Sequence, residues 1–164
     1  MITTSITVAP HLAEYAKAIF KVEDETYIKI PHTDDLYHIL KNLMSKRPEG
    51  APIQRGNLEI ALPHQSKGKC PLTYNYISDR GAVIIERKLQ ALFWAHLHSF
   101  VDDYRHSFKK QEREYLFFIN DCVCMFMFKY NITSISEDAL IKNYYRWRSH
   151  VRRKLKKRNY TKTE

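Results

Sequence analysis

The chain has 164 residues, 44% of them hydrophobic and 27% charged, with only four glycines, a globular composition that excludes a disordered or collagen-like chain. Its net charge of +9 is concentrated at one end: residues 1–141 hold 17 Lys and Arg against 17 Asp and Glu, whereas residues 142–164 hold 10 against one acid, Glu164. Three cysteines, Cys70, Cys122 and Cys124, cannot close a disulfide framework and read as small buried side chains of a reducing compartment.

In chain order, Ile2, Thr4, Ile6 and Val8 alternate with Thr3, Ser5 and Thr7, the period-two pattern of a strand. Pro10 suits the first turn of a helix whose stripe is Leu12, Ala16 and Ile19, with Tyr15 and Phe20 beside it. Thr26, Ile28 and Ile30 predict a second short strand, stopped by Pro31. Thr33, Asp34 and Asp35 then offer an N-cap and an acidic first turn to a helix with Leu36, Ile39, Leu40, Leu43 and Met44 on its apolar side. Residues 45–56 read as a loop, and Leu58, Ile60 and Leu62 as a third strand ended by Pro63.

Beyond residue 72 only helical patterns appear. Ser78 and Asp79 cap a long helix over about Arg80–His106, with Ile85, Leu89, Leu92, His96 and Phe100 as its core stripe, widened by Phe93, Leu97, Val101 and Tyr104. A charged patch from Lys109 to Glu114 leads into a helix running to about Lys129. This helix is apolar nearly all round and is expected to sit centrally. Its greasiest stretch, Tyr115–Phe128, is 14 residues long and broken by Asn120 and Asp121. A spanning helix needs about 20 apolar residues. Met1 to Ile6 also lacks the regions of a secretory signal, so a cytoplasmic protein away from membranes is expected. A turn containing Asn131 precedes a last helix capped around Ser136, Glu137 and Asp138, and Ser134 to Glu137 fits the capping-box spacing. The expected fold is α+β. A small three-stranded N-terminal sheet with two helices (residues 1–72) precedes a mainly helical part (73–164), with one continuous domain as the alternative reading.

The last helix carries the functional expectation. Leu140, Tyr144, Trp147, Val151 and Leu155 step by four, three, four and four, a narrow apolar stripe. Lys142, Arg146, Arg153 and Lys157 lie near one line on the opposite side, and Arg148, Arg152 and Lys156 form a neighbouring line. No carboxylate interleaves with them, although a solvated helix gains pair energy by mixing signs. Mutual repulsion of this kind is tolerated when a polyanion supplies the counter-charge. Nucleic acid, with duplex DNA favoured, is therefore the expected partner. Arg146 and Arg148, nearest the helix start, are expected at base edges, and Arg152, Arg153, Lys156 and Lys157 at phosphates. An acidic protein partner is the alternative. A two-fold dimer would suit a palindromic site, but no heptad seam announces one.

An apolar helix, a turn and a capped basic helix are also the order of a helix-turn-helix unit, and residues 134–157 resemble the last two elements of small DNA-binding proteins of that type. The phrases NLEIALP (57–63), YNYIS (74–78), IIERKL (84–89) and EDALIKNYYRWR (137–148) resemble a group of small, poorly characterised proteins of bacterial mobile elements and prophages. That resemblance implies a bacterial, nucleic-acid-associated setting, with a role as regulator or accessory factor of a mobile element, and no assigned activity.

No catalytic set stands out, and no cofactor or metal is expected. His98, Asp102 and His106 recur every four residues, which could hold a divalent metal only with two more ligands, and a polar outer face accounts for them more simply. His96 is expected as a hydrogen-bonded core histidine. Glu86 and Lys88 share the spacing of a nuclease signature, but that chemistry uses a strand and these residues fall in a helical pattern. Lys67-Gly68-Lys69 lacks the glycine frame of a phosphate cradle. A metal-dependent phosphodiester enzyme is thus the remotest reading.

Overall fold

The N-terminal alternation builds strand β1 (Thr3–Ile6), with Thr4 and Ile6 facing the core. In this computed structural model all residues are described except 24, 52–53, 64–67, 110–118 and 161–164, and for 105–109 and 155–160 only the helical backbone is described. Next come helix α1 (Pro10–Ile19), helix α2 (Asp35–Leu43) and strand β2 (Leu58–Ala61). Three long elements follow: α3 (Asp79–Lys109), α4 (Ile119–Lys129) and α5 (Glu137–Tyr160). The fold is α+β, with a two-stranded antiparallel sheet and a mostly helical C-terminal half. Among the described residues no helix is long and apolar enough to cross a membrane.

The strand expected at residues 26–30 is reduced to single-residue bridges. Ile28 donates its N–H to Glu59 O and accepts from Ala61 N, both at 2.9 Å, and so touches β2. The next N–H, of Lys29, turns to Phe20 O at the end of α1, and Pro31 has no N–H to extend a ladder. A segment that divides its hydrogen bonds between two neighbours cannot form a continuous strand.

The chain divides into two compact units, one of residues 1–94 with 130–132, the other of 95–129 with 133–164. The first runs past residue 72 because the opening turns of α3 bury Ile85, Leu89 and Phe93 in its core. Phe93 meets His11 and Tyr15 edge-on, with centroids 5.4 and 5.2 Å apart, and Tyr15 meets Tyr130 in the same way. Burial pushes the Tyr15 hydroxyl pKa far up, and the neighbouring Tyr130 adds to it. Asp34 caps α2 as expected, accepting from Leu36 N at 2.8 Å, and Ser78 caps α3 through Gly81 N at 3.2 Å. Gly56 lies against the β1 backbone, where a Cβ would sit 2.0 Å from Ile6 O, so no other residue fits there.

Several polar groups of this unit serve its own framework. Glu86 Oε1 accepts from Ala9 N (2.8 Å) at the start of α1, which has no side-chain cap of its own, and Lys88 pairs with Asp35 at 3.1 Å. The spacing shared with a nuclease signature therefore serves two helix starts. Lys69 lays its ammonium on the carbonyls of Lys41, Asn42 and Met44 at the end of α2 (3.4, 2.7 and 2.8 Å). Lys67 lies outside the described residues.

In the second unit α4 departs from its expected central position. Cys122, Val123 and Phe126 are buried, but Asn120, Asp121, Cys124 and Met125 are exposed and Phe128 is 91% exposed. Of the three cysteines only Cys122 is buried. Cys124 instead donates a thiol hydrogen bond to Glu137, and that bond holds its pKa above the ordinary thiol value. The charged approach at 110–114 and the first greasy residues, 115–118, lie outside the described residues. Asn131 closes α4 at φ 49°, a left-handed turn that asparagine tolerates better than most residues.

Candidate functional site

From Glu137 to Tyr160 no glycine or proline interrupts the chain, and α5 is continuous over all 24 residues. Its cap is Ser136, whose Oγ accepts from Ala139 N at 3.3 Å. Glu137 and Asp138 occupy the first turn, where carboxylates complement the helix dipole. They are the last acids before Glu164.

Three contacts fix the first half of α5 within the second unit. Leu140 and Tyr144 are fully buried. The Tyr144 hydroxyl donates to Asp102 Oδ1 at 2.5 Å. His98 is buried too: its Nε2 lies 3.0 Å from Asn143 Oδ1, and its ring stacks on Trp147 with centroids 4.2 Å apart and planes 15° apart. Burial lowers the His98 pKa, against smaller opposing effects from Asn143 and Asp102. The outer face expected for His98 and Asp102 is therefore the face that holds α5. The side chain of His106 lies outside the described residues, and among those described no three His, Cys, Asp or Glu side chains gather to hold a metal. His96 is half-buried and edge-on to Phe126, and burial, with the nearby Lys129, lowers its pKa.

The anchoring fades along the helix. Trp147 and Val151 are only half-buried, and the Leu155 side chain is outside the described residues. On the opposite side Lys142, Arg146 and Arg153 are exposed, within about 40° of one another at about 100° per residue and spread over about 16 Å of helix. Arg152 and Lys154 are exposed on the flanks. Among the described residues no carboxylate pairs with any of these five. The side chains of Lys156 and Lys157 are outside the described residues.

Arg148 differs. It is half-buried, its Nη1 donates to the Tyr144 hydroxyl at 3.3 Å, and its guanidinium lies 6.0 Å from that ring's centre. Arg148 thus ends a chain running from Asp102 through Tyr144, and part of its donor set is used within the protein.

Tyr145, Arg146, Ser149, His150 and Arg153 line an open depression of ≈420 Å³. Two guanidiniums, an imidazole, a phenol and a hydroxyl are all donors suited to anionic oxygens. Tyr145, Ser149 and His150 were not singled out by charge. Ser149 and His150 lie three or four residues from both Arg146 and Arg153, and Tyr145 lies four before Ser149, which is the signal that places them on the same side.

No family model, curated protein or solved structure matches this chain.

Proposed function

We propose that this protein binds nucleic acid, duplex DNA in the favoured form, through the exposed cationic side of α5. The observation that carries this reading is the exposure of Lys142, Arg146, Arg152, Arg153 and Lys154 without a carboxylate partner among the described residues, on a helix anchored by its other side. Like charges spaced three and four residues apart destabilise an isolated helix, and a polyanion reverses the sign of that effect. In this reading α4 and α5 act as a helix-turn-helix-like pair, with α5 the reading helix. Arg146 is the arginine placed for a base edge, because Arg148 is partly committed to Tyr144. Lys142, Arg152, Arg153, Lys156 and Lys157 serve phosphates. The setting proposed is that of a regulator or accessory factor.

The test is a gel-shift series with a DNA duplex at rising salt. About five phosphate contacts give a log–log slope near −4 to −5. Absence of salt-sensitive retention at low salt overturns the proposal. Retention of an acidic protein but not of DNA under the same conditions would replace it with the protein-docking alternative.

A further inference from the structure

The first unit contains a second site, remote in sequence from α5. The register of the sheet sets Thr3 opposite Ala61, Thr4 opposite Ile60 and Ser5 opposite Glu59. Leu62 N donates to Ile2 O, while Glu59 O and Ala61 N turn to Ile28 on the far side of β2. The ladder between β1 and β2 therefore runs through Ile2, Thr4 and Ile6. The N–H and C=O groups of Thr3 and Ser5 point the other way, along the outer edge of β1. Among the described residues none of these four groups has a hydrogen-bond partner.

That edge is one wall of a cleft of ≈650 Å³, lined among others by Thr3, Thr4, Ser5, Lys46, Arg47 and Asn75. The segments that carry Lys46 and Asn75 meet at a single bridge, where Ser45 and Tyr76 exchange backbone hydrogen bonds of 3.0 and 3.1 Å. Gln54 ties them to β1, with its Nε2 donating to Ile77 O and its Oε1 accepting from Thr4 Oγ1 at 3.4 Å. Lys46 and Arg47 are exposed, and among the described residues neither has a carboxylate partner. The acid in the cleft, Glu59, already accepts from Thr3 Oγ1 at 2.6 Å and from Thr26 Oγ1 at 3.4 Å.

The geometry points to a docking site for an extended acidic peptide, which adds as a strand to the outer edge of β1 and sets its carboxylates against Lys46 and Arg47. An open edge offers donors and acceptors in alternation, every second residue, about 6.6 Å apart. A peptide backbone supplies the matching alternation. A phosphate chain supplies acceptors only and would face the Thr3 and Ser5 carbonyls with like partial charge. An unpaired edge is also an aggregation hazard that proteins ordinarily cover or charge. Lys46 and Arg47 keep basic and neutral strands away while admitting acidic ones. The site goes beyond the nucleic-acid reading and does not depend on it.

The experiment titrates the full-length, nitrogen-15-labelled protein with a short acetylated peptide that alternates valine and glutamate. Saturable shifts of the Thr3 and Ser5 amides, with slowed hydrogen exchange at both, are expected. Lys46→Glu with Arg47→Glu should weaken binding at least about tenfold. Both side chains are exposed, so the variant tests charge rather than folding. On the ligand side, a peptide N-methylated at alternate residues and one with lysine for glutamate should not bind, which needs no change to the protein. No shift at millimolar peptide, equal binding of the N-methylated peptide, or the same shifts with a DNA duplex would each overturn the proposal.

Discussion

Lys69 in the first unit places its ammonium on three carbonyls at the end of α2, and Lys88 meets Asp35 at 3.1 Å. Along α5, Lys142, Arg146, Arg152 and Arg153 are exposed, and among the described residues none accepts from them. The first kind of cation stabilises the fold by closing a helix end or neutralising a carboxylate. The second adds nothing to the fold and repels its neighbours. What separates them is the placement of acceptors rather than the number of charges, since residues 1–141 carry as many acids as bases.

The comparison is tested hardest by removing the second kind. Replacing Lys142, Arg146, Arg152 and Arg153 together by Gln should flatten the salt dependence of DNA binding by about 3 to 4 in log–log slope. Affinity should fall on the order of a thousandfold near 0.1 M salt. Urea denaturation of the same variant should show stability unchanged or slightly raised, because repulsion is relieved. A marked loss of stability would mean that these side chains belong to the fold after all.

Next in size is the anchor beneath them. Tyr144→Ala deletes a fully buried ring and leaves Asp102 without its donor, and should cost about 4 kcal/mol in urea denaturation. Tyr144→Phe keeps the ring and removes only the hydroxyl shared by Asp102 and Arg148, and should cost about 1 to 2 kcal/mol. If the two variants cost the same, the hydroxyl chain rather than the buried ring holds α5.

The anchor also carries a pH dependence. Burial lowers the His98 pKa below 6.5 in the folded protein, with Asn143, Asp102 and Trp147 around the ring. Above pH 6.5 the imidazole is neutral in both states and its contribution is complete. As pH falls below 6.5 the unfolded chain takes up the proton first, and stability is lost until the folded pKa is passed. One such group gives at most about 1.4 kcal/mol per pH unit. His11 and His96 act in the same direction. His98→Gln retains an amide for Asn143 and does not titrate, so it should flatten the fall in urea midpoint between pH 7 and pH 5. An unaltered pH profile in that variant would place the dependence on the other two histidines.

Such anchors were only partly legible in the sequence. The cationic line of α5, the caps at Asp34, Ser78 and Ser136, and the α1 and α2 stripes follow from local spacing, which geometry enforces within one or two turns. So does most of the α3 stripe, since Ile85, Leu89, Phe93, Leu97, Phe100 and Val101 are all buried as expected, while Leu92 and His96 are only half-buried. What spacing does not show is that the helix serves two compact units. The first buries Ile85, Leu89 and Phe93, and the second buries Leu97, His98, Phe100 and Val101. A helix shared in this way need not keep one face, and so His98 and Asp102 read from sequence as polar surface. Tyr144 lies one turn before Arg148 and is legible as its neighbour, but only the fold shows that the Tyr144 hydroxyl is held by Asp102 and so turned to receive the guanidinium. The cleft beside β1 draws on five separate segments, and no spacing in the sequence connects Ser5 with Arg47 or Asn75.

The smallest expected effect sharpens the meaning of a cation that does have partners. Lys69→Met keeps most of the aliphatic length and removes the ammonium from the carbonyls of Lys41, Asn42 and Met44. Those carbonyls belong to the negative end of α2, and the half-buried ammonium there contributes about 1 kcal/mol. The loss should appear in urea denaturation and as faster hydrogen exchange in the last turn of α2, with DNA binding unchanged. A DNA-binding defect in Lys69→Met would instead make Lys69 a ligand contact, and the division between framework cations and ligand-facing cations would no longer follow from which of them have acceptors in the protein.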